Sequence, residues 1–187
     1  MDSLARHEVN AIPLRIDLAG RLMTVQNNYV LGMAALSMFA APAALATLTG
    51  SQAAFGGFTV PLDQVRVLMS SPATRDESGK AFLVMLMCSL IKDSFELTQH
   101  HAKKAGIVAA MRSQPWYHFC RIIRNCISHN FLVEINARDL LLLPLTWRHR
   151  TITAAMNNQE LPISFFGWAE AWELFVDIRT FAETTGI

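Results

Sequence analysis

The feature that most constrains the fold is a long uncharged stretch near the start of the chain. From Leu22 to Leu62 there are 41 consecutive residues without a Lys, Arg, Asp or Glu. The most apolar part, Tyr29 to Leu48, is long enough to cross a bilayer. It is rich in alanine, however, contains Pro42, and lacks a flanking cluster of Lys or Arg. We therefore expect a buried core or interface helix, followed by a glycine-rich loop at Gly50 to Pro61, and no stable membrane span.

The composition is that of one domain covering residues 1–187. A chain of 187 residues with 52% hydrophobic and only 17% charged residues can bury about 70% of its unfolded surface without a covalent staple. The small charged fraction indicates that part of the surface is apolar and meets a partner. Because the formal net charge is only +1, any binding of nucleic acid must use a local patch of cations.

The cysteines and the first residues indicate a reduced, cytoplasmic protein. Cys88, Cys120 and Cys126 are odd in number and lack the spacing of a zinc finger or a redox pair. A secretory signal has a basic region followed by a short apolar run. The opening segment, MDSLARHE, does not show this pattern. We expect no metal and no cofactor.

Apolar residues recur at helical spacing in four long segments. The first predicted helix begins at Leu14, and the second covers Lys80 to Lys104. The third follows Ser113 through WYHFCRIIRNCISHNFLVEI, and the fourth covers Ser164 to Thr184. A short helix is predicted in PLDQVRVLM and a polar turn in SSPATRDESG. Branched and aromatic residues around Pro144 indicate a small β-hairpin that returns through Asn157-Asn158 before the last helix. The predicted fold is an all-α bundle with this minor hairpin.

The third long helix has one polar side of unusual composition. Projected at about 100° per residue, its apolar residues form one broad side. The other side collects His118, Arg121, Arg124, Asn125, Ser128 and His129. A solvated helix face usually mixes in Glu and Lys, but this helix face carries no acid. The pattern favours a functional surface over ordinary solvation, although a buried polar network that fixes a dimer would also explain it.

The spacing of these residues limits what one helix can do. Asn125 and His129 are one turn apart and can touch. Arg124 and His129 are five residues apart and point about 140° away from each other on an ideal helix. Both side chains reach one atom only if the helix bends or begins there, or if a second copy of the chain supplies the other half.

The sequence Arg124-Asn-x-x-x-His129 resembles the Arg-x4-6-His motif of the HEPN superfamily (higher eukaryotes and prokaryotes nucleotide-binding domains), in the form with Asn after the Arg. The surrounding WYHF and SHNF are similar too, as is Ser94-Phe95-Glu96-Leu97 on the preceding helix. The resemblance covers roughly Leu83 to Phe181. It implies a helical bundle that forms a homodimer through the motif helix and, in many members, a metal-independent endoribonuclease.

The resemblance also implies roles for single residues. Histidine can move a proton near neutral pH, so His129 would act on the ribose 2′-hydroxyl. Arg124 offers a planar cation for the phosphoryl oxygens, and Asn125 would hold His129 or the phosphate. Weaker candidates for RNA contact or support are Arg121, His118, Ser128 and Glu96, the last of which could orient Arg124 or Arg121.

These features predict an RNA-cleaving protein of toxin or defence type, with a possible antitoxin or regulatory partner. Some family toxins continue the motif as His-x-Tyr, with a tyrosine that a partner enzyme modifies, but position 131 is Phe. One alternative is a non-catalytic HEPN-like module that binds nucleotides or RNA or regulates a partner. Another is a small membrane-associated protein that uses Tyr29 to Leu48.

Overall fold

The computed structural model describes residues 17–186, which form a mainly helical fold with two small antiparallel hairpins. The helices are α1 (Leu18–Phe39), α2 (Pro42–Ala46), α3 (Asp63–Ser70), α4 (Pro72–Lys104), α5 (Val108–Arg112), α6 (Tyr117–Ser128), α7 (Ala137–Leu140) and α8 (Trp168–Thr185). The strands are β1 (Gln52–Phe55), β2 (Phe58–Pro61), β3 (Leu145–Trp147) and β4 (Arg150–Ile152), and a single 3-10 turn covers Ala154–Met156.

The longest helix, α4, is the common packing partner of the bundle. α1, α3, α5, α6 and α8 all contact it. Leu90, Ile91 and Phe95 on its inner side are fully buried, because apolar side chains at helical spacing gain most when neighbouring helices cover them. This packing brings Phe95 and Glu96 of α4 beside α6.

The uncharged stretch becomes a helix with two apolar sides. The inner side of α1 packs against α4 and α8 and buries Leu18, Leu22, Val25 and Tyr29. The outer side exposes Met23, Val30, Leu31 and Met38. The predicted helix is thus only partly a core helix, because Tyr29 to Leu48 is divided between α1 and α2 and only Tyr29 and Gly32 in it are buried. Within residues 17–186 no helix is both long and apolar enough to cross a membrane.

Most of the predicted elements are confirmed. The four long helices are present as α1, α4, α6 and α8, the short helix in PLDQVRVLM is α3, and the hairpin before the last helix is formed by β3 and β4. The predicted start of the first helix at Leu14 lies outside the described residues.

Three local predictions are wrong. The polar segment SSPATRDESG is no turn, because α4 already begins at Pro72 and proline is well suited to a first helical turn. The segment Gly50 to Pro61 is a hairpin rather than a loop; its strands reverse at Gly56, whose φ of 59° suits glycine. The β3–β4 hairpin reverses at Arg148-His149 rather than through Asn157-Asn158.

Two helical glycines offer a matched test of this packing. A Cβ at Gly32 of α1 would lie 2.4 Å and 2.6 Å from the two methyl carbons of Leu86, whereas at Gly79 of α4 its nearest neighbour is Leu36 at 3.9 Å. Gly79→Ala should raise the free energy of unfolding by about 0.5 to 1 kcal/mol, since alanine favours a helix. Gly32→Ala should lower it by about 1 to 3 kcal/mol through overpacking. Urea unfolding of both variants measures the difference, and equal stabilisation would contradict this close α1–α4 contact.

Candidate functional site

The polar face predicted for the motif helix is present on α6. Its opposite side is buried and consists of Tyr117, Phe119, Cys120, Ile122, Ile123, Cys126 and Ile127. On the polar side the side chains of Arg124 and His129 are 28% and 54% exposed. A strongly buried helix thus presents its motif residues to solvent at its carboxyl end.

The motif helix ends earlier than the sequence suggests. The prediction carried it through FLVEI, but α6 stops at Ser128 and His129 is its C-cap. Asn130 and Phe131 then adopt φ values of 53° and 64°, and the Phe131 amide donates to the carbonyl of Cys126 at 2.8 Å. This left-handed turn closes the helix and sends the chain back beside its last residue.

The position of His129 still follows the helical spiral. Its amide donates to the carbonyl of Asn125 at 3.1 Å, as an amide inside the helix would. Arg124 and His129 therefore leave the end of α6 in different directions. The limit that the five-residue spacing set on a single chain persists in the fold.

Two arginines and one histidine of this face each lie beside a carboxylate from another segment. The pairs are Arg121 with Asp139, Arg124 with Glu96 at 3.0 Å, and His129 with Glu134 at 3.2 Å. The polar face has no acidic residue from α6 itself, but the fold brings acidic residues to it from other segments. The fold therefore places carboxylates beside the positive charges of both arginines.

Arg124 is held on two sides by α4. Its Nη1 donates to Oε1 of Glu96 at 3.0 Å, and its guanidinium lies 5.6 Å from the centre of the Phe95 ring. Such an arrangement fixes the plane of the guanidinium. Of the two arginines that Glu96 was expected to orient, it contacts Arg124.

Arg121 forms a more buried pair than Arg124. Its partner Asp139 on α7 is only 1% exposed and also accepts from the side-chain amide of Asn136 at 3.0 Å. Burial, followed by the positive charge of Arg121, lowers the pKa of the neighbouring His118, so its imidazole is neutral at physiological pH. Arg121 thus joins α6 to α7.

The remaining predicted residues have simpler surroundings. The Ser128 hydroxyl donates to the carbonyl of Arg124 at 2.9 Å, a bond within the helix. No hydrogen bond joins the side chain of Asn125 to His129 in the part of the chain that the structure describes. Phe131 is buried in the core, so its ring faces inward.

Two residues of this region were missed by the sequence analysis. Glu134 lies between the buried Val133 and Ile135, an alternation that would have indicated an extended segment with an outward carboxylate. Asp139 follows Asn136 at the spacing of a helix cap, and the Asn136 side chain accepts from its amide at 3.0 Å. No local signal in the sequence pairs Asp139 with Arg121.

The cysteines offer no activated nucleophile. Burial raises the pKa of the Cys126 thiol to about 11 and raises the pKa of the Cys120 thiol further, so both are protonated at neutral pH. Among residues 17–186 no group of three or more His, Cys, Asp or Glu side chains is arranged to hold a metal ion.

Comparison with known proteins adds no family to this description. The chain matches no family model, no curated protein and no solved structure. Its function has to be argued from its own residues.

The two arginine pairs should differ in their effect on stability. Asp139→Ala leaves the partly buried Arg121 without its partner and should lower the free energy of unfolding by about 3 kcal/mol. Glu96→Ala should cost less than about 1 kcal/mol, because Glu96 is 46% exposed to water, unlike Asp139. Urea unfolding curves of the two variants test this order, and a larger loss for Glu96→Ala would refute it.

Proposed function

We propose that this chain is a metal-independent endoribonuclease of the HEPN type that acts as a homodimer. The observation that carries the proposal is that Arg124 and His129 both reach solvent near the carboxyl end of α6, a helix whose other side is buried. A fixed cation and a side chain that can move protons are the groups required for RNA cleavage by its own 2′-hydroxyl.

The geometry of Arg124 fits a phosphate-binding role. Glu96 occupies Nη1, while Nη2 makes no hydrogen bond to any described residue and can donate to a phosphoryl oxygen. The adjacent Phe95 ring and Glu96 carboxylate keep the guanidinium from swinging away. A cation preorganised in this way stabilises charge developing on phosphate without reorganising during the reaction.

The proposed reaction needs one base and one acid. The imidazole of one His129 takes the proton from the ribose 2′-hydroxyl while that oxygen forms a bond to phosphorus. The bond from phosphorus to the 5′-oxygen breaks, and the protonated His129 of the other copy gives its proton to that oxygen. The products are a 2′,3′-cyclic phosphate and a 5′-hydroxyl. No net proton is consumed.

Two further features favour a homodimer at this end of the molecule. The different directions of Arg124 and His129 are reconciled if two copies related by a two-fold axis share one groove. The segment after Asp139, which is tied to α6 through Arg121, exposes Leu140, Leu141 and Leu142, with Leu141 85% exposed. Exposed leucines beside a polar site are typical of a partner surface.

The alternative, a binding or regulatory module without cleavage, is favoured by one observation. Within a single chain Arg124 and His129 already lie beside Glu96 and Glu134, as in a polar network with a structural purpose. The two functions make opposite predictions for RNA that has been incubated with the protein.

Purified protein should cleave single-stranded RNA in EDTA, leaving 2′,3′-cyclic phosphate ends. His129→Ala should slow cleavage by about 10²-fold to 10⁴-fold because a proton-transfer group is lost. Arg124→Ala should slow it by about 10²-fold to 10³-fold because a charge-stabilising donor is lost. Gel electrophoresis and mass spectrometry of the fragments give the rates and the end groups.

Matched controls come from the same residue types elsewhere on the surface. His149→Ala on the β3–β4 turn and Arg75→Ala on α4 should cleave at the rate of the unchanged protein. RNA that is bound but stays intact supports the regulatory module, and cleavage unaffected by His129→Ala overturns the proposed mechanism.

The proposed interface can be tested with a pair of exposed leucines. Leu141→Glu places a charge in the leucine segment next to α7 and should convert the dimer to a monomer, since burying an unpaired charge is costly. It should also reduce cleavage. Leu31→Glu, 67% exposed on the outer side of α1, should leave the dimer intact. Light scattering coupled to size-exclusion chromatography reports the masses; dissociation by Leu31→Glu alone would place the interface on α1.

A further inference from the structure

The Glu134 carboxylate stands beside the imidazole of His129. Its Oε2 lies 3.2 Å from Nδ1, and both side chains are about half exposed. A pair with this exposure contributes little to stability. The ring nitrogen that Glu134 faces therefore matters more than the strength of the pair, because the group beside one imidazole nitrogen determines which nitrogen carries the proton.

The path of the chain brings Glu134 to this place. If α6 continued, a residue five positions after His129 would point about 140° away from it. Instead, the left-handed turn at Asn130 and Phe131 reverses the chain within the intervening residues. Positive φ is rare for a phenylalanine, and such conformations persist where the surrounding structure holds them.

The backbone on both sides of Glu134 is anchored. Val133 exchanges hydrogen bonds with the segment at Gln159, donating at 2.9 Å and accepting from Asn158 at 2.7 Å. The amide of Ile135 donates to Oδ1 of Asn157 at 2.8 Å. Because Val133 and Ile135 are buried and side chains alternate along an extended segment, the side chain of Glu134 must point outward, toward His129.

We infer that Glu134 is a positioning residue for His129, holding the neutral imidazole with its proton on Nδ1. The free lone pair is then on Nε2, the nitrogen directed away from the carboxylate, where it can accept a proton from a ribose 2′-hydroxyl. The carboxylate also stabilises the imidazolium that this transfer creates. The catalytic meaning of the inference rests on the proposed function, whereas the proton position on the ring does not.

The decisive measurement is the tautomer of His129, read from the nitrogen and proton resonances of its imidazole at a pH where the ring is neutral. The unchanged protein should show Nδ1 protonated. In Glu134→Ala the population should shift toward the form with the proton on Nε2. Glu160→Ala, which removes the same charge from the neighbouring segment opposite Leu132, should leave the tautomer unchanged.

Cleavage gives the second readout. Glu134→Ala should slow cleavage at least about 10-fold, yet less than the roughly 10⁴-fold loss known for the buried aspartate of a serine protease triad, because Glu134 is half exposed. Glu134→Gln, which keeps an acceptor oxygen at this position but carries no charge, should lie between Glu134→Ala and the unchanged protein. Glu160→Ala should cleave at the unchanged rate.

Different results would overturn the positioning role of Glu134, its effect on catalysis and the proposed function. An imidazole protonated mainly on Nε2 in the unchanged protein, or a tautomer insensitive to Glu134→Ala, overturns the positioning role. A shifted tautomer with full cleavage overturns its catalytic part while His129→Ala still defines the active site. Absence of RNA cleavage by the unchanged protein overturns the proposed function, and the tautomer measurement then still supports or overturns the contact between Glu134 and His129.

Discussion

Burial of one side of α4 determines where the five helices packed against it lie. Leu90, Ile91 and Phe95 are fully buried because five helices present apolar faces to this one helix. Since packed interiors leave little freedom for side chains to shift, the residue after Phe95 has a fixed place at the edge of the core. That residue is Glu96, and its place defines where Arg124 of α6 can find a carboxylate. The position of the candidate phosphate-binding cation is thus a consequence of how the core packs.

The more buried residues of the polar face of α6 have a different role from its more exposed residues. Arg121 and the almost inaccessible Asp139 tie α6 to α7, and a pair taken out of water in this way is costly to separate. Arg124 and His129 are more exposed, so water or a ligand can exchange with their carboxylate partners. Residues that look equivalent on a helical projection are thereby divided into those that hold the fold together and those accessible to a substrate.

The sequence predicted long helices better than it predicted their ends. Apolar periodicity located α1, α4, α6 and α8, and it assigned the buried and polar sides of α6 correctly. It failed at residues 71–79 and 129–135, where polar composition and continuing apolar residues gave misleading signals. At those places the outcome depends on a proline at a helix start and on two left-handed residues stabilised by distant hydrogen bonds. The carboxylates Asp139 and Glu134 were missed because their partners are set by these turns.

The two halves of the candidate site differ in the length of chain that each must close. His129 and Glu134 are five residues apart and meet through a local turn, whereas Arg124 and Glu96 are separated by 28 residues and meet only when α4 and α6 dock. Closing the longer loop costs more conformational entropy, and such contacts form after local ones on average. The histidine pair closes the shorter loop, but the backbone around Glu134 is anchored to Asn157, Asn158 and Gln159, so both pairs are completed only in the tertiary fold. Under the proposed function, a nascent or partly unfolded chain would carry the proton-transfer group without its oriented cation, and RNA cleavage would be a property of the finished molecule alone.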